Sequence, residues 1–349
     1  MSGDDRGVLV LAGGRGERFW PWSTPSRPKQ LLPLASGGRT LLAATIERAR
    51  RLARPERIVI VTAADLVDEV RRECKGVTVL GEPIARNTAP AIAAGMVYLP
   101  GVTTWAVLAA DHLIDDTDAF ARDLDRAFAI AERDPVLVTI GIPPRGVETN
   151  FGYIQRGARL ADRVYRVARF KEKPERALAE AWSADGEHLW NASLFVWRRS
   201  VFMDALEVGR PEMARVFRDF RFASGPDGWR NAAGEIFPTV EAISVDYAVL
   251  EHAPNTIVIE ATFDWDDLGS WGAWARRQPR DARGNVRFGD AIVEDCDDCV
   301  VVGEGGTAAA VGLRDMVVVH SHGATLACRL DRTDHVRRVS AALRDRSPS

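Results

Sequence analysis

The sequence predicts an α/β protein, with a Rossmann-like, mostly parallel sheet, helices on both faces and a small C-terminal all-β domain that is β-helix-like. Three observations predict this class. Short apolar runs alternate with segments of helical periodicity over the first part of the 349-residue chain, as in a parallel sheet covered by helices. A glycine-rich loop follows the first apolar run. After about residue 278, short β-type runs follow one another closely.

The alternating part of the chain supplies the predicted sheet. Strands are predicted at 8–11, 57–62, 77–80, 104–109 and 136–140, and helices at 40–53, 64–74, 88–98 and 117–133. From residue 150 the pattern predicts a strand pair, a helix at 174–183, a strand at 189–197, polar helices over 199–251 and a strand at 256–262. Ligands of such sheets bind beyond the carboxyl ends of the strands, where the glycine-rich loop and Asp111 are expected.

The C-terminal part of the chain predicts a second domain. Its short strands are expected at 291–296, 299–303, 307–311 and 316–320, separated by glycine and aspartate. A chain of this length accommodates two domains. The boundary is placed in the polar stretch around 275–283, so the predicted domains are 1–278 and 279–349.

Composition excludes several classes of partner. Hydrophobic residues make up 46% of the chain, charged residues 27%, and the net charge is −3. This balance gives no reason to expect a nucleic acid or a membrane as a partner. The N-terminal stretch MSGDDRG is polar and acidic, unlike a secretory signal. We therefore expect a cytoplasmic protein.

Four cysteines leave a minor question open. Cys296 and Cys299 form a CxxC pair, but a zinc site recruiting Cys328 and the histidines at 320 and 322 matches no standard spacing. A redox pair at a helix start does not fit a strand-rich stretch. Reduced thiols without a chemical role are the preferred interpretation.

The loop after the first strand carries the main chemical signal. Its sequence, LAGGRGERFWPWSTPSRPKQ (11–30), is neither a phosphate-binding loop of the GxxxxGK[ST] type nor a dinucleotide fingerprint, because Phe19 stands where the third glycine belongs. Closely spaced glycines let backbone N–H groups approach anionic oxygens, and the basic side chains of Arg15, Arg18 and Lys29 supply positive charge. We expect this loop to bind a triphosphate. A basic surface turn explains the glycines poorly.

These residues resemble the opening motif of the sugar-phosphate nucleotidylyltransferases, most closely the mannose-1-phosphate guanylyltransferase type. Seven further segments resemble that family in the same order: EPIARNTAPA (82–91), ADH (110–112), NFGYI (150–154), FKEKP (170–174), WNASLF (190–195), SVDYAVLE (244–251) and DLGSW (267–271). The resemblance covers about residues 10–275 and implies a small β-helical domain beyond them. By resemblance, the nucleotide-binding residues of the loop are Leu11, Ala12, Gly13, Gly14, Gly16 and Arg18.

The resemblance implies that a sugar 1-phosphate oxygen attacks the α-phosphorus of a nucleoside triphosphate. Arg15, Lys29, Asp111 and Asp267 are then the catalytic residues, and the two aspartates hold one Mg²⁺. The chemistry suits them, because Mg²⁺ favours one or two carboxylates plus phosphate oxygens. Considered alone, Asp111 would be a helix cap and Asp267 a turn residue.

A further set of residues is assigned to the sugar phosphate by resemblance. Lys173 neutralises its phosphate, Glu172 accepts hydrogen bonds from hydroxyls, and Asn191 and Gly152 contact the sugar. The alternatives are a solvated charged stretch before a helix for 172–173 and a strand bulge for Gly152. Buried without partners, Asn191 would be costly, and a sugar hydroxyl would satisfy it.

Base recognition is the least determined part. The family places the guanine near 82–91, where Asn87 and Thr88 offer polar groups. Helix capping by Asn87 or Thr88 is an equal alternative. For Asp246 the sequence predicts helix packing and no chemical role.

The resemblance thus implies transfer of GMP from GTP to α-D-mannose 1-phosphate, giving GDP-mannose and pyrophosphate, by a homodimer. Two alternatives stay open. The first is an enzyme of the same class that uses another sugar 1-phosphate, such as a heptose phosphate, or another nucleoside triphosphate. The second is a non-catalytic relative that binds nucleotide sugars as a regulator. At this length no additional isomerase domain is expected, so a single activity is predicted.

Overall fold

A computed structural model describes residues 5–346, and the side chains of residues 5–343. The first four residues of the polar N-terminal stretch lie outside the described residues. Two compact units are present. The large unit comprises the chain up to Gly13, Leu42–Ala110 and Ile114–Trp265, and the small unit comprises Gly14–Leu41, Asp111–Leu113 and the chain from Asp266 onward. Among the described residues, no helix is long and apolar enough to cross a bilayer.

One mixed sheet organises the large unit. Its strands are β1 (Arg6–Leu11), β2 (Ile58–Ala63), β3 (Thr78–Glu82), β4 (Thr104–Ala109), β5 (Leu137–Ile142), β6 (Tyr153–Ala161), β7 (Val164–Lys171), β8 (His188–Arg198) and β9 (Thr256–Glu260). Their order is β3-β2-β1-β4-β8-β5-β9-β7-β6. Neighbours β1, β2, β3 and β4 are parallel, as are β5 and β9, whereas β7 and β8 run against them. The predicted α/β class with a mostly parallel sheet is confirmed.

The central strands are buried on both faces. Val8, Leu9 and Val10 of β1 are fully buried, which explains a continuous apolar run instead of an alternating one. Leu9 is paired with Val59 on one side and Val107 on the other. The packing is close, since a Cβ at Gly95 would come within 2.6 Å of the Leu9 side chain.

Helices follow the strands of the large unit. They are α1 (Leu41–Ala49), α2 (Val67–Glu73), α3 (Thr88–Val97), α4 (Thr117–Arg133), α5 (Arg176–Ala184), α6 (Arg199–Gly209), α7 (Pro211–Arg218) and α8 (Gly225–Ile236), with a π-helical turn at Asp246–Leu250. Helix α4 begins where Asp116 accepts a hydrogen bond from the Ala119 N–H at 2.9 Å, as an N-cap residue does. Its ends agree with the predicted helix at 117–133.

The small unit contains a second sheet. Strands β10 (Val286–Glu294), β11 (Val300–Val311) and β12 (Met316–Ser321) are parallel, and β13 (Ala324–Arg329) closes the sheet in the antiparallel direction. Helices α9 (Trp271–Ala275) and α10 (Val336–Arg346) complete the unit. The predicted C-terminal β domain is confirmed, with β13 and α10 as additions. The domain boundary predicted at residue 278 stays a prediction.

An aromatic cluster joins the glycine-rich loop to the later part of the small unit. The Trp22 ring stacks on Trp271 at 5.6 Å between centroids, and lies 4.9 Å from Phe288 and 5.4 Å from Trp274. Phe19 lies 5.1 Å from Trp271. Trp22, Trp271 and Trp274 are almost fully buried. These rings fix the loop on residues that follow it by about 250 positions.

Candidate active site

A polar cleft of about 360 Å³ lies within the small unit. Its basic side chains are Arg15, Arg18, Lys29 and Arg337, and its acidic ones are Glu17, Asp111 and Asp267. The structure therefore brings together the predicted triphosphate-binding and metal-binding residues of the glycine-rich loop, the segment after β4 and the DLGSW segment. Arg337 was not predicted.

Lys29 is the centre of this arrangement. Its ammonium donates to the Asp111 carboxylate (Nζ to Oδ2, 2.9 Å) and to the backbone carbonyl of Asp267. The Lys29 side chain is 9% exposed, against 40% for Asp111. Lys29 thus fixes the position of both aspartates, in addition to lining the cleft.

The two aspartates differ in their acidity. Partial burial alone would raise the pKa of the Asp111 carboxyl, but Lys29 and His112 outweigh it and lower that pKa below its ordinary value. Burial, together with the charges of Asp266 and Asp111, raises the pKa of Asp267 despite Lys29. The Asp111 charge thus disfavours ionisation of Asp267, and a cation bound between the two carboxylates would offset that repulsion.

The donor set is suitable for Mg²⁺. Asp267 accepts the Gly269 N–H through Oδ1 at 3.1 Å, and Asp111 binds Lys29 through Oδ2, so each carboxylate has a second oxygen that can take a cation. Among the described residues, no cluster of three or more His, Cys, Asp or Glu side chains forms a closed metal cage. Mg²⁺ needs no such cage, because it is bound by one or two carboxylates together with substrate phosphates and water.

Gly16 has a geometric reason to be glycine. Its φ is +62°, which glycine tolerates best, and a Cβ there would overlap the backbone nitrogen and Cβ of Lys29. Gly14 has open space around its Cα, and its carbonyl accepts from Gln30 Nε2 at 3.0 Å. The loop is therefore packed tightly at Gly16 and accessible at Gly14.

A second polar cluster lies in the large unit and contains all the predicted sugar-phosphate residues. The Lys173 ammonium is 3.0 Å from the Glu172 carboxylate. Gly152 lies close to Glu172 and Asn191. A Cβ added at Gly152 would lie 2.6 Å from Glu172 Oε2 and 3.2 Å from Asn191 Cβ. Gly152 thus makes room for the Glu172 carboxylate.

Asn191 is 5% exposed and has protein partners. Its Nδ2 donates to Asp246 at 2.8 Å, and its Oδ1 accepts from Thr139 Oγ1 at 3.3 Å and Ser193 N at 3.2 Å. Burial therefore does not by itself require a sugar hydroxyl, and the sugar contact stays a prediction.

Asn87 is the N-cap residue of α3. Its Oδ1 accepts from the Thr88 N–H at 2.8 Å, with a φ of +66°. Thr88 Oγ1 accepts from the Val245 N–H at 2.8 Å. The capping interpretation is confirmed for Asn87, and the contact of either residue with a nucleotide stays a prediction.

The chain is similar to known proteins over almost its whole length. A family model described as nucleotidyl transferase matches residues 7–283, and one described as a MannoseP isomerase/GMP-like beta-helix domain matches 289–343. The chain is 36% identical over 342 residues to a putative mannose-1-phosphate guanylyltransferase of Vibrio cholerae serotype O1, covering 95% of this chain and 73% of that protein. It is 35% identical to the mannose-1-phosphate guanylyltransferase of Klebsiella pneumoniae, covering 98% and 74%. The chain belongs to the mannose-1-phosphate guanylyltransferase family of nucleotidyl transferases.

Structural similarity supports the same assignment. A crystal structure described as mannose-1-phosphate geranyltransferase from Thermus thermophilus matches with a TM-score of 0.87 and 32% identity, covering 97% of this chain and 99% of that chain. The similarity therefore includes both the nucleotidyl transferase part and the C-terminal sheet.

This nucleotidyl transferase contains a buried carboxyl to which no motif gives a role. Glu82 ends β3, is 9% exposed, and its Oε1 is buried without a hydrogen-bond partner among the described residues. Burial raises its pKa to about 8. Its other oxygen, Oε2, faces Gly13: a Cβ added at Gly13 would lie 3.5 Å from this oxygen. In the sequence, Glu82 is the first residue of the EPIARNTAPA segment, in which only Asn87 and Thr88 were assigned to the nucleotide.

Asp246 is a second missed residue. It is 8% exposed and accepts from Asn191 at 2.8 Å, so it belongs to the sugar-phosphate cluster. Burial and the nearby Glu172 charge raise the pKa of Asp246 to about 7. Asp246 begins a π-helical turn, an element that is frequent at functional sites.

The CxxC pair lies in the connection between β10 and β11. Both thiols are free and buried, and each makes a weak hydrogen bond to a backbone carbonyl two residues away along the chain: Cys296 Sγ to Glu294 at 3.3 Å and Cys299 Sγ to Asp297 at 3.4 Å. These contacts agree with buried thiols that stabilise a turn.

Proposed function

We propose that the protein transfers GMP from GTP to α-D-mannose 1-phosphate, releasing GDP-mannose and pyrophosphate. The observation that carries this proposal is the small-unit cleft, in which Lys29 binds both Asp111 and the backbone of Asp267 beside Arg15 and Arg18. Such a cleft suits a triphosphate, because positioned cations and a metal-binding carboxylate pair are what phosphoryl-type transfer requires.

The residues of the small unit act on the reacting phosphates. A phosphate oxygen of mannose 1-phosphate attacks the α-phosphorus of GTP as the bond from that phosphorus to the β-phosphate oxygen breaks, and pyrophosphate leaves with the bonding electrons. Arg15, Arg18 and Lys29 offset the charge of the triphosphate and of the departing pyrophosphate. Mg²⁺ held by Asp111 and Asp267 would supply further charge neutralisation at the phosphate oxygens.

The large-unit cluster orients the acceptor sugar. Lys173 is 57% exposed and is paired with Glu172 at 3.0 Å, so it is accessible to an incoming phosphate. Glu172 and Asp246 supply carboxyl oxygens for sugar hydroxyls, and Asn191 holds Asp246 in place at 2.8 Å. No group in the reaction has to act as a covalent nucleophile, because the acceptor phosphate already carries the attacking oxygen.

Glu82 is our candidate for guanine recognition. Guanine presents two adjacent donors, N1–H and the 2-amino group. These donors would stabilise the ionised form of the Glu82 carboxyl, which can accept both, and so lower the pKa that burial raises. Within the described part of the chain, one buried oxygen of Glu82 has no hydrogen-bond partner, and Gly13 places no side chain opposite the carboxyl. A hydrogen bond to a charged group contributes about 1.5–3 kcal/mol of binding free energy. A base that lacks one of the two donors would lose this contribution, which is sufficient for base selection.

We also propose that the enzyme works in the cytoplasm, where its free cysteines are stable. A homodimer is the assembly that the family resemblance implies, and light scattering on the purified chain measures it.

The deciding experiment is pyrophosphate release by the purified chain with Mg²⁺, across four nucleoside triphosphates and several sugar 1-phosphates. We expect a dominant signal for GTP with mannose 1-phosphate, and none for Asp111→Asn. A dominant signal with a heptose 1-phosphate or another nucleotide would correct the substrate and keep the reaction type. Silence with all pairs, in a chain that still binds GDP-mannose, would favour a regulatory relative.

Base recognition has its own test in the same assay. Inosine triphosphate lacks the 2-amino group, so the wild-type enzyme should prefer GTP over it by about 10-fold or more in kcat/KM. In Glu82→Gln this preference should fall towards unity, while Glu56→Gln, an exposed glutamate of the same unit, keeps it. An unchanged preference in Glu82→Gln would assign the guanine to other residues.

A further inference from the structure

The C-terminal helix α10 contributes to the cleft that holds the triphosphate-binding residues. Arg337, in its first turn, lines the same 360 Å³ cleft as Arg15, Arg18 and Lys29. We propose that Arg337 binds the phosphate groups of the nucleotide substrate and of pyrophosphate. The proposal rests on the proposed function of this cleft and adds to it a residue from outside the nucleotidyl transferase match at 7–283.

Helix α10 is attached directly to the glycine-rich loop. Ser340 Oγ donates to the Glu17 carbonyl at 3.0 Å. Residues three apart lie on one face of a helix, so Arg337 and Ser340 face the same side. Val336, at the start of the helix, is 2% exposed and anchors the first turn. The backbone at Arg337 is therefore held next to the glycine-rich loop.

The Arg337 guanidinium differs from the other basic groups of the cleft in its contacts. Lys29 is bound to Asp111 and to the Asp267 backbone, and Arg18 donates to the Gly269 carbonyl at 3.4 Å. Within the part of the chain whose side chains are described, Arg337 makes no hydrogen bond or ion pair and is exposed. A guanidinium that is not used within the protein is available to an anion.

The charges that line the cleft also favour an anion beside Arg337. The acidic side chains Glu17, Asp111 and Asp267 match Arg15, Arg18 and Lys29 one for one, so Arg337 gives the cleft its excess of positive charge. The position of Arg337 also lowers the stability of helix α10, because a positive charge in the first turn of a helix interacts unfavourably with the helix dipole. A bound polyphosphate anion would relieve both effects.

The test compares Arg337→Ala with Arg338→Ala. Arg338 is the exposed neighbour on the same turn and does not line the cleft. In Arg337→Ala we expect KM for GTP and the inhibition constant of pyrophosphate to rise about 10-fold, as for a lost charged hydrogen bond. KM for mannose 1-phosphate should change less than about two-fold. Arg337→Lys should keep part of the effect, since it retains the charge without the planar fork.

Binding of inorganic tripolyphosphate, measured by calorimetry, tests Arg337 independently of turnover. If the wild-type chain binds tripolyphosphate and Arg337→Ala weakens that binding, the assignment of Arg337 holds even where the proposed substrates fail. Equal constants for Arg337→Ala and Arg338→Ala would overturn the proposal. A lower melting temperature with a uniform loss of all activities in Arg337→Ala would overturn it too, because it would assign a structural role.

Discussion

Three residues at the candidate sites hold a backbone conformation that non-glycine residues rarely adopt. The φ angles of Asn87, Lys173 and Leu268 are +66°, +46° and +43°. Asn87 and Lys173 are predicted site residues, and Leu268 lies between Asp267, another predicted site residue, and Gly269. Such conformations cost about 1–3 kcal/mol each and are concentrated at functional sites. Six other described non-glycine residues also have a positive φ, so at the residue scale only part of the backbone strain lies where the chemistry is expected.

The buried carboxyl of Glu82 predicts a pH-dependent stability. Its pKa is raised by burial from 4.5 to about 8, so between these values the folded chain holds a proton that the unfolded chain releases. The folded state consequently loses stability as pH rises through this window, by up to about 3 kcal/mol at pH 7. Glu82→Gln removes the ionisation and should raise the melting temperature by a few degrees at pH 8, and much less at pH 5.

Glu56→Gln, at an exposed position of the same unit, should follow the wild-type profile at both pH values. A Glu82→Gln difference of the same size at pH 5 and pH 8 would mean that Glu82 does not carry the proton.

Lys173 should matter for the acceptor more than for the nucleotide. Its ammonium is accessible and held by Glu172 at 3.0 Å, so Lys173→Ala removes a charge from the sugar-phosphate cluster. We expect KM for mannose 1-phosphate to rise about 10-fold or more, with little change in KM for GTP. Lys171→Ala is the matched control, because Lys171 pairs with Glu251 at 3.7 Å instead. Equal effects on both substrates would exclude this role.

At the scale of elements, periodicity predicted the regular segments well. Strand β4 and helix α4 have the predicted ends, because an apolar run and a strong helical pattern each stand between clear breaks. Strand β11 was predicted as two strands, since Glu304, Gly305 and Gly306 resemble a turn. In the structure the strand continues, and glycine is needed at 303 because a Cβ there would overlap the Asp290 carbonyl.

The site residues were predictable to a different degree. The loop, Asp111, Asp267 and the 172–173 pair were assigned from motifs, and the structure groups them into two clusters. Glu82 and Arg337 were not: Glu82 lies in the EPIARNTAPA segment, but the segment alone does not show which of its polar residues is buried without a partner, and a single arginine on a helix surface has no distinctive spacing. Their significance depends on burial, partners and neighbours, which only the folded chain shows.

Gly152 connects strand geometry with the sugar-phosphate cluster. Its carbonyl accepts from the Asn191 N–H at 2.8 Å, and an added Cβ would lie 2.6 Å from Glu172 Oε2. Gly152→Ala should therefore displace the Glu172 carboxylate, raise KM for mannose 1-phosphate and cost about 1–3 kcal/mol of unfolding free energy. Gly146→Ala, with no atom within 4 Å of its added Cβ, should do neither. Unaltered kinetics in Gly152→Ala would show that Glu172 does not need its present position.

At the scale of the molecule, the small unit is built from segments far apart in the sequence. Arg27 of the glycine-rich loop pairs with Glu304 of β11 at 2.8 Å, and Ser340 of α10 donates to Glu17 at 3.0 Å. The aromatic cluster adds the contact of Trp22 with Phe288 of β10 at 4.9 Å. The residues that form the cleft are therefore held by the C-terminal sheet as well as by their own loop.

This construction predicts the outcome of ending the chain at residue 278. The shortened chain keeps Lys29, Asp111 and Asp267 but loses Phe288, Glu304 and the whole of α10, which hold the loop in place. We expect it to bind GTP at least about 10-fold more weakly and to lose turnover, measured by pyrophosphate release.

A point variant of the full-length chain shows whether the loop loses its support without the general misfolding that the shortened chain could suffer. Phe288→Ala removes one large, half-buried ring from the aromatic cluster and should cost about 1–3 kcal/mol of unfolding free energy, with a higher KM for GTP. Ile292→Ala, on the same strand and 53% exposed, should be close to wild type. A chain of residues 1–278 with normal turnover would instead show that the predicted catalytic domain is independent, since Trp22, Trp271 and Trp274 would then hold the loop without β10.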